Sequence, residues 1–214
     1  MAWLEPASAP DVDAFLARVL RLDPDAVVRL RPADHRTVAL WSRLPFEVLV
    51  SRGVRGSVPG DVTVGAQELS AALDGPLPPS RDADWRWSLP PQPGRVVERV
   101  PVAEMLRLDA AAAATVRTAS VEGVGGRAVG SRVLRDALLD HVPIVVTTAT
   151  GERFDVPQRL IQAVVRMGFL GRTGLACDGA VSNFVDVRVA GSWVGLACAY
   201  GVAWYRGRPP LLLI

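Results

Sequence analysis

The chain has 214 residues, of which 50% are hydrophobic and 21% are charged. The hydrophobic fraction excludes general disorder, and the length suits one domain or two small ones. The formal net charge is only +2 and no run of like charges forms a basic arm, so composition gives no evidence for nucleic-acid binding.

The basic residues are all arginine, since the chain contains no lysine. Asparagine occurs only at Asn183, and isoleucine only at Ile144, Ile161 and Ile214. Because three residue types are depleted together, we interpret the arginines as codon bias in a high-GC bacterial genome. Selection of arginine for phosphate binding would not explain the loss of isoleucine and asparagine.

The first element is a predicted helix that begins near Pro10 or Asp11, with Ser8 and Asp11 as candidate caps. Its apolar stripe has helical spacing and consists of Val12, Phe15, Leu16, Val19 and Leu20. Strand-like runs with short connections follow, which predicts antiparallel neighbours. These runs are Val27–Arg31, Thr37–Arg43, Phe46–Arg52 and Val62–Val64, followed by a helix over about Ala66–Leu73.

Residues 75–94 are rich in proline and predict a linker between two subdomains, residues 1–74 and 95–214. Trp85 and Trp87 lie inside this linker and point to the same side if the segment is extended. They form either an aromatic clamp for a ligand or an anchor that fixes the linker to the core. The anchor is favoured, because an aromatic pair alone specifies no chemistry.

The sequence pattern of the second half predicts a strand, two helices, a buried strand and a third helix. Their ranges are Val96–Arg99, Pro101–Thr118, Arg127–Asp140, Pro143–Thr148 and a helix capped by Asp155-Val156-Pro157. The third helix has a buried stripe that includes Leu160, Ile161, Val164 and Val165, and it is predicted to stop at Gly168.

Gly191-Ser192 predicts a type II′ hairpin turn. A two-residue loop there pairs Val189 with Val194, Val187 with Leu196, and Val185 with Cys198, so that apolar residues share one face. Asp186 and Arg188 then turn to the opposite face. A third strand, Val202–Tyr205, is expected to extend this sheet.

A glycine-rich stretch that contains Gly125, Gly126 and Arg127 imitates a dinucleotide fingerprint. Glycines there would let the backbone approach a phosphate at a helix N-terminus. The fingerprint should follow a strand, whereas this stretch follows a predicted helix. A connector between helices is therefore favoured over a phosphate site.

The catalytic and metal-binding residue types are sparse. Only His35 and His141 are histidines, and Cys177 and Cys198 have no metal-ligand spacing. The sequence therefore predicts no cofactor and no metal, and it leaves open whether the chain is an enzyme. Neither a signal peptide nor a long apolar segment is present, so we expect a cytoplasmic protein without membrane contact.

The helix that ends at Met167-Gly168 and the hairpin after it resemble the last helix and wing of a winged-helix module. The resemblance implies a nucleic-acid face on the exposed side of this helix and on the hairpin. The side chains involved would be Gln158, Arg159, Gln162, Arg166 and Arg188. The predicted strand over residues 143–148 departs from that pattern, because a short turn should precede the last helix.

The sequence thus predicts an α+β protein of two subdomains, each with helices packed on a small antiparallel sheet. We expect a non-enzymatic interaction or regulatory protein, whose partner is an unknown protein or a second copy of the chain. The apolar segment Leu211–Ile214 favours self-association or docking within the chain. A small-molecule enzyme with scattered site residues and a nucleic-acid-associated protein are the alternatives.

Overall fold

The computed structural model describes residues 3–73, 75–91, 94–122, 131–171 and 183–207. The chain divides into two compact units, Met1–Leu89 and Pro90–Ile214. Each unit combines helices with an antiparallel sheet, which confirms the predicted α+β class. The linker limits at residues 75 and 94 stay a prediction.

The first unit contains a sheet with the strand order β5-β2-β3-β4, and β1 pairs with the far end of β4. All of these pairs are antiparallel, as the short connections predicted. In chain order the elements are β1 (Trp3–Leu4), α1 (Ala9–Leu22), β2 (Val27–Pro32), β3 (Thr37–Arg43), β4 (Leu49–Ser57), β5 (Val62–Gly65) and α2 (Ala66–Ala71).

The core of the first unit lies between α1 and one face of the sheet. Val12, Phe15, Leu16 and Val19 of α1 are buried as predicted, whereas Leu20 is only half-buried. The sheet contributes alternate residues of its strands, which include Val28, Leu30, Val38 and Leu40, all 0% exposed. Ser8 precedes α1 but makes no side-chain cap; its hydroxyl instead accepts a hydrogen bond from the Arg55 N–H at 3.2 Å.

The predicted start of β4 at Phe46 is wrong, because the strand begins at Leu49. A turn occupies the preceding residues: the Leu44 N–H donates to the Val48 carbonyl at 2.8 Å, and Glu47 has a φ of 66°. This left-handed residue interrupts the extended backbone, although the apolar alternation of the sequence continues through it.

The second unit contains a sheet with the strand order β11-β10-β9-β6 and a separate hairpin of β7 and β8. Its elements are β6 (Arg95–Pro101), α3 (Val102–Glu122), α4 (Ser131–Asp140), β7 (Ile144–Thr147), β8 (Arg153–Val156), α5 (Gln158–Arg166), β9 (Phe184–Ala190), β10 (Trp193–Cys198) and β11 (Gly201–Arg206). The sequence analysis missed β8, because its last two residues, Asp155 and Val156, were interpreted only as part of a helix cap.

The hairpin of β9 and β10 has the predicted register. Val189 pairs with Val194 and Val187 with Leu196, and the ladder extends to Asp186 and Ala197, one step short of the predicted third pair. Gly191 has a φ of 59°, which glycine adopts without strain. Because turn chemistry and apolar alternation agree, one local segment determined this register.

The two units repeat one arrangement in a different chain order. In each, a helix leads into a three-stranded antiparallel meander, α1 before β2-β3-β4 and α5 before β9-β10-β11. In each, a further strand pairs with the first meander strand and leads into a second helix, β5 into α2 and β6 into α3. The fold therefore consists of a repeated structural motif.

Candidate binding site beside the tryptophan segment

Residues 80–89, here called the tryptophan segment, are hydrogen-bonded to the outer edge of β5. The Thr63 N–H donates to Asp82 Oδ1 at 2.7 Å, and the Thr63 carbonyl accepts from the Arg81 N–H at 2.7 Å. The Ser80 hydroxyl donates to Asp82 Oδ2 at 2.6 Å. The Ser80 hydroxyl and then the Thr63 N–H lower the pKa of Asp82. The carboxylate therefore remains ionised and holds the segment.

Trp85 and Trp87, the predicted ligand residues of this segment, contact each other. Their ring centroids are 5.2 Å apart at an interplanar angle of 87°, and Trp85 Nε1 donates to the Trp87 carbonyl at 2.8 Å. The guanidinium of Arg29 lies 5.8 Å from the Trp85 ring, and that of Arg43 lies 5.3 Å from the Trp87 ring. These cation–π contacts support the anchor interpretation, whereas ligand binding by the pair stays a prediction.

Trp41 belongs to the same face of the first sheet as the two arginines. It pairs with Arg29 across β2 and β3, and Arg43 follows it two residues later. Trp41 is 5% exposed, and its indole N–H has no acceptor among the described residues. Sequence reasoning did not select Trp41, although its alternation with Leu40 already placed it on the face opposite the helices.

A cleft of about 140 Å³ lies between the tryptophan segment and the turn that joins α1 to β2. The turn provides two carboxylates, the end of β3 provides Arg43, and the segment provides an arginine, a carboxylate and an indole. The lining residues are Asp23, Asp25, Ala26, Val27, Arg43, Arg81, Asp84 and Trp87. The sequence analysis did not select Asp23 and Asp25 as site residues, because nothing local connects them with residues 81–87.

The two arginines of the cleft already have carboxylate partners. Arg81 Nε lies 2.8 Å from Asp84 Oδ2, and Arg43 Nη2 lies 3.6 Å from Glu47 Oε1. Asp23 Oδ1 accepts a hydrogen bond from the Asp25 N–H at 3.1 Å, which shapes the turn. Within the described part of the chain, no ion pair involves Asp23 or Asp25. The cleft therefore has an excess of negative charge.

The prediction that α5 exposes four polar side chains to nucleic acid is wrong for two of them, which are buried. Gln158 is 3% and Arg159 7% exposed, whereas Gln162 is half-buried and Arg166 is exposed. Arg159 donates to Asp140 Oδ1, and its guanidinium lies 4.7 Å from the ring of Tyr205. Arg159 therefore ties α5 to the end of α4 and to β11, which sequence periodicity alone did not indicate.

Arg188 lies on the other face of its sheet from α5. Tyr205, which Arg159 contacts, pairs with Val194 and so shares a face with Val189 and Val187. Arg188 alternates with these valines, points away from that face, and lies 3.6 Å from Asp186. The helix and hairpin arginines therefore do not form the single surface that the winged-helix resemblance implied. Their role in nucleic-acid binding stays a prediction.

Of the remaining predicted positions, Gly125, Gly126 and Arg127 lie outside the described residues. Burial, and to a smaller extent the Asp186 carboxylate, raise the pKa of the Cys198 thiol to about 12. Among described residues, no three metal-ligating side chains form a group. No helix in the described ranges has the length and apolar character needed to cross a membrane.

Solved structures with a similar fold include the DNA polymerase III β subunits of Pseudomonas aeruginosa, Streptococcus pyogenes and Thermotoga maritima. Sequence identities are 13%, 11% and 10%, and TM-scores are 0.54, 0.52 and 0.51. The matches cover 99%, 98% and 98% of this chain but 66%, 65% and 65% of the subunits. A Caulobacter crescentus DNA polymerase sliding clamp matches with a TM-score of 0.50 at 14% identity, covering 95% of this chain and 65% of the clamp. The fold is thus sliding-clamp-like, with repeated domains.

No curated protein matches the sequence of the chain. Residues 1–91 match the family model described as Domain of unknown function (DUF8010). Residues 89–210, more than half of the chain, match the model described as Domain of unknown function (DUF8185), and the chain belongs to this family.

Proposed function

We propose that the chain is a non-enzymatic interaction protein that binds other protein chains, copies of itself included. The observation that supports this function is the sliding-clamp-like fold, which matches a DNA polymerase III β subunit over 99% of the chain with a TM-score of 0.54. Fold alone does not determine function, so the charges of the described surface are needed to distinguish protein from nucleic-acid partners.

The helices of the first unit favour protein partners over a phosphate backbone. α1 and α2 together carry two arginines, Arg18 and Arg21, against three carboxylates, Asp11, Asp13 and Glu68. A surface that binds phosphates needs an excess of cations, because affinity comes from the counterions that these displace. This helical layer has an excess of anions instead.

Several arginines in the described part of the second unit are paired with nearby carboxylates. Arg107 lies 2.6 Å from Glu104 on α3, and Arg99 lies 3.1 Å from Asp186 across β6 and β9. Arg95 lies 2.9 Å from Glu152. Side chains in such pairs have little charge left for phosphates, whereas mixed charge is ordinary at the rim of a protein interface.

Sedimentation velocity of the purified full chain tests the self-association part of this proposal. We expect the mean mass to rise above the 22.9 kDa of one chain as concentration increases. A species that stays at the mass of one chain at every concentration would remove self-association from the proposed function.

Nucleic-acid association is a second candidate, favoured by the DNA polymerase subunits that share the fold and by exposed Arg166. Fluorescence anisotropy with duplex and single-stranded oligonucleotides at low salt tests it. If Arg166 contacts a phosphate, Arg166→Ala should flatten the slope of log K against log salt by about one unit. Arg153→Ala, which removes an exposed arginine paired with Asp155, is the control. Absence of binding at low salt would exclude this candidate.

A further inference from the structure

The cleft beside the tryptophan segment has the size for a side chain. Its volume of about 140 Å³ is below the ~300–1,000 Å³ of pockets that enclose nucleotides and cofactors. A small cleft on an interaction protein is instead suited to one side chain of a partner, which anchors the complex by filling it.

The charges in the cleft favour binding of a cation over binding of an anion. Both lining arginines have carboxylate partners, Arg43 with Glu47 and Arg81 with Asp84, whereas Asp23 and Asp25 lack an ion pair among the described residues. A guanidinium or ammonium group bound there would offset part of the negative charge of these two carboxylates. An anion would meet them at close range and would be repelled.

The aromatic wall of the cleft favours a cation with an aliphatic stem. Trp87 lines the cleft, and an indole ring attracts cations and packs against aliphatic groups. The arginine side chain of a partner protein has both parts, a guanidinium group and an aliphatic stem.

We propose that the cleft binds an arginine side chain of a partner protein. Asp23 and Asp25 receive the guanidinium, and Trp87 forms the wall along its aliphatic stem. Because Arg81, Asp84 and Trp87 come from the tryptophan segment, this binding site is complete only while the segment is bound to β5. The inference rests on the proposed interaction function and specifies the chemistry of its partner.

Titration of the full chain with N-acetyl-L-arginine amide tests the cleft directly. The readout is the indole ¹⁵N–¹H signal of Trp87, which the Trp87→Phe variant assigns among the six tryptophans. We expect a saturable shift, a dissociation constant in the millimolar range, and weakening at high salt. N-acetyl-L-leucine amide, a neutral probe, should give no saturable shift.

Asp25→Asn should weaken arginine-amide binding about fivefold, because it removes one exposed carboxylate. The matched control is Asp13→Asn, which removes an exposed carboxylate of α1 outside the cleft and should bind as the parent does. A missing shift, an equal shift with the leucine amide, or parent-like binding by Asp25→Asn would overturn the proposal. Sedimentation distinguishes the cleft proposal from the proposed self-association. A monomeric chain that binds arginine amide would support the cleft and contradict self-association. An oligomeric chain that does not bind arginine amide would support self-association and contradict the cleft.

Discussion

Trp204 of β11 lies against Gly195, the residue with which it pairs on β10. A Cβ atom on Gly195 would lie 2.5 Å from Trp204 Cε3 and 2.7 Å from Cδ2. At the other end of the indole, a Cβ on Gly94 would lie 2.6 Å from Cη2. The two glycines leave the space that the ring occupies, and Trp204 is only 2% exposed.

Gly195→Ala should therefore destabilise the second unit by about 1–3 kcal/mol, because the new methyl group displaces a large, rigid ring. Gly60→Ala is the control, since a Cβ there meets nothing within 4 Å. Urea denaturation measures both. Equal midpoints for the two variants would show that Trp204 moves away from Gly195 at no cost.

Val187→Asp should destabilise the chain by about 3 kcal/mol or more, because it places a charge without a partner where Val187 is 0% exposed. Arg188→Ala, one residue later on the opposite face, should change stability by less than about 0.5 kcal/mol. Thermal melting followed by circular dichroism compares them. Similar melting temperatures would mean that the two faces of β9 are assigned the wrong way round.

Arg159→Met should destabilise the chain by about 1.5–3 kcal/mol, through loss of the charged hydrogen bond to Asp140 and of the contact with Tyr205. Arg166→Met on the same helix should have an effect below about 0.5 kcal/mol, because its side chain is exposed. Guanidinium denaturation gives both values. A larger loss at Arg166 would contradict the structural role of Arg159.

Cys198 should react slowly with a thiol reagent in the folded chain. Since its thiol pKa is raised to about 12, the reactive thiolate is a minor species at pH 8. The Cys177→Ser variant isolates this thiol, and the rate of Ellman's reaction measures it. The same variant unfolded in urea should react fast; a folded rate equal to the unfolded one would contradict the desolvation of the half-buried Cys198 thiol.

Asp109→Asn should stabilise the chain at neutral pH. Burial raises the pKa of Asp109, and the nearby Arg166 offsets this only in part. With a folded pKa above the unfolded one, the stabilising contribution of the protonated form is complete below the unfolded pKa. It is lost as pH rises through the raised value. The advantage of Asp109→Asn over the parent should therefore shrink in acid.

Melting temperatures of Asp109→Asn and of the parent at pH 7 and pH 4 test whether the substitution stabilises the chain. The control is Asp136→Asn, which removes an exposed carboxylate of α4 and should have little effect at either pH. A destabilised Asp109→Asn at pH 7 would mean that attraction to Arg166 outweighs desolvation.

Local sequence patterns were sufficient to predict the elements whose stabilising contacts are also local. The hairpin at Gly191 combined turn chemistry with alternation, so its register followed from adjoining positions of the sequence, Val187 to Leu196. The turn at Glu47 was missed because its left-handed backbone interrupts a run whose apolar alternation continues unchanged. β8 was missed because Arg153–Val156 has only four residues, and pairing with β7 determines its conformation.

The candidate site was predictable only in part for a related reason. The pair of tryptophans was visible in the sequence, because its spacing alone places both rings together. The carboxylates Asp23 and Asp25 join them only through the tertiary fold. Arg159 likewise read as exposed by helical periodicity, and its burial depends on Asp140 and Tyr205 from other elements.

The hydrogen bonds of Thr63 determine which truncations of the first unit would expose the edge of its sheet. The outer edge of β5 is occupied by Arg81 and Asp82 rather than by another strand, so it offers no template for intermolecular pairing. A proteolytic cut or a gene fusion that removed residues 80–89 would bare those backbone groups and convert a protected edge into an aggregation-prone one. A fusion gene would encode the first unit with this edge covered only if its junction lay after the codon for Leu89.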